Sequence, residues 1–159
     1  MALLKDGAVR ADDWATVADD APLPEAPALV SLARLPAVAG RNAPLGVALA
    51  PDENPDALAP WLAQLAVVQV TLPGSRDGRA FTQLRKLREY LGYTGEIRIA
   101  GHVIPDHWGM LCRLGASSAV VKDDADPALW EQARHVVNIA YQSAPAVAAP
   151  LAGLRRRVA

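Results

Sequence analysis

A single cysteine, Cys112, stands in a chain of 159 residues. No intrachain disulfide can form, and no cluster of thiols is available for structural zinc or an iron–sulfur centre. Such thiol economy suits a reducing compartment. Excess charge is equally scarce, with 16 Lys and Arg against 17 Asp and Glu and a formal net charge of −1. Without a basic field, nothing draws the chain to a polyanion, so neither nucleic acid nor membrane is expected as a partner. No run of about 18 apolar residues offers a membrane span. The opening Met1-Ala2-Leu3-Leu4-Lys5-Asp6 lacks the basic, apolar and cleavage regions of a signal peptide, so the expected location is cytoplasmic. Nucleotide fingerprints are missing as well: there is no Gly-x-Gly-x-x-Gly, and no Gly-Lys-Ser/Thr closes a Walker A loop.

What remains is ample apolar material, 52% of residues, part of which reflects abundant alanine. A folded chain of this length hides roughly 70% of the surface it exposes when unfolded, enough for one core without staples. The pattern divides the chain into an N-terminal hairpin and arm (residues 1–27), an α/β core (28–142) and an Ala/Pro/Arg-rich flexible tail (143–159). Asp6-Gly7, between Leu3-Leu4-Lys5 and Ala8-Val9-Arg10, suits a type I′ turn, which needs positive φ at both central residues. The arm, rich in Asp, Ala and Pro, is read as irregular and anchored by Trp14.

Within the core, short continuous apolar runs alternate with helical segments, the signature of βαβ units around a buried parallel sheet. Five strands are expected: Ala28–Leu32, Leu45–Leu49, Ala66–Leu72, Glu96–Ala100 and Ser118–Val121. Asn54-Pro55 opens a helix to Leu65, with Leu58, Trp61, Leu62 and Leu65 on one face. A second runs from Arg79 to Leu91 and stops at Gly92, a third from Pro105 to Gly115, and a fourth from the cap Asp126 to Tyr141. The fold class is a single α/β domain with a largely parallel five-stranded sheet flanked by helices and an N-terminal β-hairpin. Five βα units fit either a doubly wound sheet or a relative of a barrel, and both place ligands at the carboxyl ends of the strands.

The loops that follow the strands are polar: Asp52-Glu53, then Pro73 to Arg79, then Gly101 to Asp106, then Lys122-Asp123-Asp124. In the second of these, Gly74 and Gly78 allow backbone N–H groups to approach a ligand at a helix start, and Arg76 and Arg79 can fork onto oxygens. A small anion fits that chemistry; a plain turn in which Asp77 caps the helix fits it too. Ligand-binding candidates are Gly74, Arg76, Gly78, Arg79, Arg85 and Gly101. Asp77, His102 and Asp106 are the catalytic candidates, as acid–base groups in adjoining loops. No metal site is expected, because His102 and His107 have few partners in sequence and His135 lies far along the chain. Cys112 reads as a packed thiol inside a helix, and the basic face Arg79, Arg85, Lys86 and Arg88 as a docking surface for an acidic partner.

Several motifs in order carry a resemblance. Leu4-Lys5-Asp6-Gly7, Asp12-Asp13-Trp14 and Asp19-Asp20-x-Pro22-Leu23-Pro24 precede Asp77-Gly78-Arg79-Ala80-Phe81 and Leu84-Arg85-x-Leu87-Arg88. Gly92-Tyr93-x-Gly95-Glu96-Ile97-Arg98, Gly101-x-Val103-Ile104-x-Asp106 and Tyr141-Gln142 with an Arg-rich end follow. Together they resemble the bacterial domain-of-unknown-function family 934. The resemblance implies a link to assimilatory sulfur metabolism, because genes of the family lie beside those for the sulfite or nitrite reductase haemoprotein, and its members carry a loose oxidoreductase label. It singles out Asp77, Arg79, Arg85, Tyr93, Glu96 and Asp106. His102 stands where the family often has Asp, and Leu114 where it often has Cys before Gly115, so no thiol mechanism is carried over.

Two functions follow as expectations. One is an accessory protein of assimilatory sulfite or sulfate reduction, acting through contact with the sulfite reductase haemoprotein or by binding a small oxyanion at the strand ends. The alternative is an oxidoreductase with an unrecognised or borrowed cofactor, since side chains alone seldom carry two-electron chemistry. No particular cofactor is indicated.

Overall fold

The computed structural model describes residues 1–137. The expected tail, Tyr141-Gln142 and the end of the fourth helix lie outside them. One sheet organises these residues, and it has eight strands rather than five: β1 (Ala2–Lys5), β2 (Ala8–Ala11), β3 (Ala15–Thr16), β4 (Ala28–Ser31), β5 (Leu45–Leu49), β6 (Leu65–Leu72), β7 (Glu96–Gly101) and β8 (Ser118–Val121). Their spatial order is β2-β1-β8-β7-β6-β5-β4-β3. Strands β3 to β8 run parallel, while β1 pairs antiparallel with both β8 and β2. The three additional strands come from the hairpin, which enters the sheet instead of decorating it, and from the arm, whose Ala15 and Thr16 pair with Ala28 and Leu29. At the hairpin tip Asp6 and Gly7 have φ of 53° and 73°, as the type I′ reading requires.

The order of β3 to β8 decides between the two architectures left open by the sequence. Each parallel step moves in the same direction, so right-handed crossovers lay every helix on one face. A doubly wound sheet would reverse direction, and its crevice at the switch point does not exist here. The edges confirm the curl. Laid flat, eight strands would span about 34 Å between edge strands, yet β2 and β3 are joined by only Asp12-Asp13-Trp14, a reach of about 14 Å. The sheet therefore coils toward a barrel, with helices outside and a concave face within.

Outside, α1 (Leu35–Val38), α2 (Arg79–Arg85), α3 (Pro105–Arg113) and α4 (Pro127–Val136) cover the sheet. Leu35, Leu84, Leu87, Trp108, Leu111 and Trp130 form one buried cluster with Val47, Leu49, Val68, Val70, Leu72, Ile97 and Ile99. Each fully buried side chain of this size contributes about 1.5–3 kcal/mol. The helix expected over Asn54–Leu65 is two 3₁₀ turns, Pro55–Leu58 and Leu62–Gln64. Asn54 does cap the first, accepting from the Asp56 N–H at 3.2 Å, but Pro60 has no N–H to continue the ladder and crowds the preceding turn. The helix expected to reach Leu91 is α-helical only to Arg85 and closes through a π turn at Lys86–Tyr90, with Gly92 at φ +63° as its stop. Asp126 caps α4, accepting from the Ala128 N–H at 2.9 Å.

Candidate functional site

Side chains alternate along each strand, so the residues between the core positions face inward. Ladder register stacks them in three layers. Leu29, Gly46, Val67 and Glu96 form the lowest; Ser31, Ala48, Gln69, Arg98, Ser118 and Lys5 the middle; Thr71, Ala100, Val120 and Leu3 the uppermost, toward the strand ends. Layered inward side chains are the filling pattern of βα barrels.

The lower part of this face is closed by a network in which charges are matched. Arg98 is fully buried, and its Nη1 donates to both Asp12 oxygens at 2.8 and 2.9 Å. Its Nη2 lies 3.3 Å from Glu96, which also accepts from Lys5 at 2.5 Å and Ser118 at 2.6 Å. Lys5 and Ser118 hold the Glu96 carboxyl below its usual value, against the raising effect of burial. Trp14 lies over the guanidinium of Arg98, 5.8 Å from centroid to carbon, and rests where Gly46 has no side chain: a Cβ there would come within 3.0 Å of the Trp14 ring. Trp14 thus anchors the arm, as expected. In the sequence Asp12-Asp13-Trp14 and Glu96-Ile97-Arg98 stand far apart, and nothing local joins them. An arginine between two isoleucines in a buried strand was the available signal.

At the opposite end, the loops after the strands form a rim. Pro73, Gly74, Arg76, Asp77 and Gly78 line an open depression of about 470 Å³. Arg79 does not reach freely into solvent but clamps Asp77, with Nε 3.0 Å and Nη2 2.6 Å from its oxygens. These bonds and the Arg79 N–H pull the Asp77 carboxyl down to about 2, so it is ionised throughout the physiological range. Asp52, from the loop after β5, adds to the field on Arg79, and the Gln83 side chain of α2 donates to the Ala50 and Glu53 carbonyls at 2.8 Å, so the loop after β5 and the helix that follows the β6 loop are held together. Arg76 is exposed and has no ion-pair partner among the described residues. The backbone N–H groups of Gly74, Ser75 and Arg76 likewise donate no hydrogen bond there.

Gly101 ends β7 at φ +96°, its missing Cβ facing the Leu72 carbonyl at 2.3 Å, and the next residue, His102, donates its N–H to that carbonyl at 2.7 Å. The glycine therefore fixes how the loops after β6 and β7 sit side by side. His102 and Asp106 are exposed, and no hydrogen bond joins either to Asp77 among the described residues. His107 turns instead against Phe81, edge to face at 6.3 Å, with Nδ1 buried and unpartnered. Among the described residues no group of three or more His, Cys, Asp or Glu is placed to hold a metal ion, and no helix is long and apolar enough to cross a membrane.

The basic helix face dissolves on inspection. Arg85 pairs with Glu89 at 2.5 Å, and Lys86 reaches Asp56 at 2.7 Å and Asn54 at 2.9 Å. Arg88 turns inward, donating to the carbonyls of Tyr93, Gly95 (2.8 Å) and Gly115 (3.0 Å). Tyr93 is structural too: its hydroxyl donates to the Leu65 carbonyl at 3.0 Å, and burial pushes its pKa up to about 12. Burial likewise raises the Cys112 thiol to about 11, keeping it protonated and unreactive near neutral pH.

Fold and rim define a curled, singly wound α/β protein whose ligand-accessible loops gather at the strand ends. The chain belongs to the family described as bacterial protein of unknown function (DUF934), whose model matches residues 46–152. The match starts at β5, so the Asp12-Asp13-Trp14 link lies before it while Asp77, Glu96 and Arg98 lie within. No curated protein matches the chain.

Proposed function

We propose that the protein binds a small oxyanion at the depression after β6 and serves as an accessory protein of assimilatory sulfite reduction. The observation that carries this reading is Arg76, an exposed guanidinium on a loop whose backbone donors are unspent. Arg79 has a different part in it. By pairing with the ionised Asp77, it offsets the negative charge that would repel an anion from the same depression. The link to sulfite reduction rests on the family resemblance, which makes sulfite the first anion to test and the sulfite reductase haemoprotein the first partner.

Titration calorimetry with sulfite, sulfate and phosphate on the wild type, Arg76→Ala and Arg79→Ala tests the anion site. Binding of one anion should weaken at least about tenfold in Arg76→Ala, the loss expected of about 1.4 kcal/mol for one charge-assisted contact. Unchanged affinity in that variant refutes the site. A pull-down with the haemoprotein at low and physiological salt tests the accessory role, and a complex at neither salt overturns it. A thermal shift with a flavin or nicotinamide nucleotide, with no complex, would move the reading to an oxidoreductase.

A further inference from the structure

Six large hydrophobic side chains stand exposed among the described residues, and four of them belong to the outer helices: Met110 on α3, Leu129 and Val136 on α4, and Val137 just after it, with exposures of 48, 50, 73 and 56%. The four are neighbours. α4 packs on α3, and its inward side is already engaged, with Trp130 buried edge to face against Trp108 at 5.9 Å between ring centroids. Leu129 and Val136, two turns apart on one face of α4, point away from that contact. Met110 borders the same face. Its neighbour Gly109 lies against the Ala133 and Arg134 carbonyls, where a Cβ would stand 3.3 and 3.1 Å from them. Arg113, one turn on from Met110, donates to the Val137 carbonyl at 3.1 Å. A contiguous apolar surface on a small protein marks a contact.

The chain itself supplies a segment of the right kind to cover it. Val137 leaves the helix in an extended conformation (φ −111°, ψ 95°), at the border of this face. None of residues 138–154 is charged, although 21% of the chain is, and Ile139, Tyr141, Val147 and Leu151 are spread along them. The charged groups of α4 need no partner from outside, because Glu131 pairs with both Arg134 at 3.7 Å and His135 at 2.8 Å. Length suffices as well: Leu129 lies about 12 Å back along α4 from Val137, and residues 138–152 can span about 50 Å when extended. The family model runs through residue 152, so this segment is part of what family members share.

We infer that residues 138–152 fold back across α4 and α3 and cover the face formed by Met110, Leu129 and Val136, so that the chain completes its own outer helical layer with a strap. Apolar contacts at spaced residues hold the strap, and Pro145 and Pro150 suit an extended run. The depression at Arg76 takes no part in it, so the inference does not depend on the anion site.

The test is paramagnetic relaxation in the full chain. A nitroxide can be attached selectively through Ala148→Cys at neutral pH, because burial keeps the Cys112 thiol protonated. In the ¹⁵N-labelled chain that carries the nitroxide, the amide signals of Met110, Leu129, Ala133 and Val136 should be lost, and reducing the nitroxide should restore them. In a mixture of spin-labelled ¹⁴N chain with ¹⁵N chain lacking the nitroxide, the same signals should remain. Leu129→Glu, on the exposed face, should bring them back in the spin-labelled chain with the rest of the spectrum in place. Should that variant disturb the fold, Val147→Asp in the segment itself provides an independent block. The inference is overturned if these signals survive in the spin-labelled chain, if they are lost as strongly in the mixture, which would make a second copy the occupant, or if neither substitution restores them.

Discussion

Replacing Gly101 by alanine isolates the contact that sets the loops after β6 and β7. Two costs are separable. At φ +96° an L-residue is strained by about 1–2 kcal/mol. The new methyl would also meet the Leu72 carbonyl at 2.3 Å, a backbone atom that cannot swing away as a flexible side chain could. That carbonyl already accepts the His102 N–H, so displacing it breaks a bond worth about 1 kcal/mol and splays two central strand ends. Strain and the lost bond together come to roughly 2–3 kcal/mol, and the clash with the carbonyl adds to them. Gly7→Ala supplies the internal control: Gly7 has φ +73°, but nothing lies within 4 Å of its Cβ position, so only strain of about 1–2 kcal/mol applies. In urea unfolding with both variants, Gly101→Ala should lose at least about 2 kcal/mol more than Gly7→Ala at unchanged m, with a melting temperature lower by a further 4 °C or more, roughly. Equal losses in the two variants would refute the close approach as the reason for the glycine.

The remaining expectations concern charge. Asp12→Ala leaves Arg98 buried with Glu96 alone and should cost about 2–4 kcal/mol, whereas adding Arg98→Met in the same chain should restore most of it, because the stranded charge goes with it; additive losses in a double-mutant cycle would show the pair to be uncoupled. Asp77 has its folded pKa pulled below the unfolded value, so its contribution is present at neutral pH and is lost as pH falls from about 4 toward 2. Its carboxyl carbon should titrate near 2 by NMR, and a midpoint near 4 would mean that the Arg79 clamp is absent in solution. Tyr93 shifts the other way: the unfolded chain ionises near 10 and the folded one near 12, so stability should fall across that interval and Tyr93→Phe should remove that part of the loss. An ultraviolet titration in which every tyrosine ionises near 10 would contradict its burial.

The parts of the fold that were legible in the sequence are those governed by local chemistry. Asp6-Gly7 announced its turn, Gly92 and Gly115 their helix ends, and Asp126-Pro127 its cap, because φ and capping are decided within a few residues. The five central strands were legible because they are buried on the core side and rich in branched residues. Pro60 argues against a continuous helix over 54–65 while the apolar spacing favours one, and the proline prevails. Missed entirely were the features that depend on closure. β3 is only two residues long, and no local pattern could mark it as a strand. That the hairpin would pair with β8 depends on a partner more than 110 residues away in the chain. On the rim, the loop residues were legible and their pairing was not: Arg79 and Arg85 read as free cations but are held by Asp77 and Glu89, whereas Arg76 has no ion-pair partner among the described residues.

That difference follows from how the sheet is wound. In a doubly wound sheet, reversal of strand order itself creates a crevice, and fold alone nominates the site. Here the order never reverses, so no crevice arises between helices, and the accessible places are the loops that curling gathers at the strand ends. Curling in turn requires the short link between β2 and β3, and the link holds because Asp12 and Trp14 engage Arg98 from within. The buried ion network therefore belongs to the closure of the sheet, at the end away from the loops. Substitutions there should register as stability, and substitution of Arg76 as binding with stability nearly unchanged. A variant of Arg98 that lost ligand binding while keeping its melting temperature would contradict this division between the two ends.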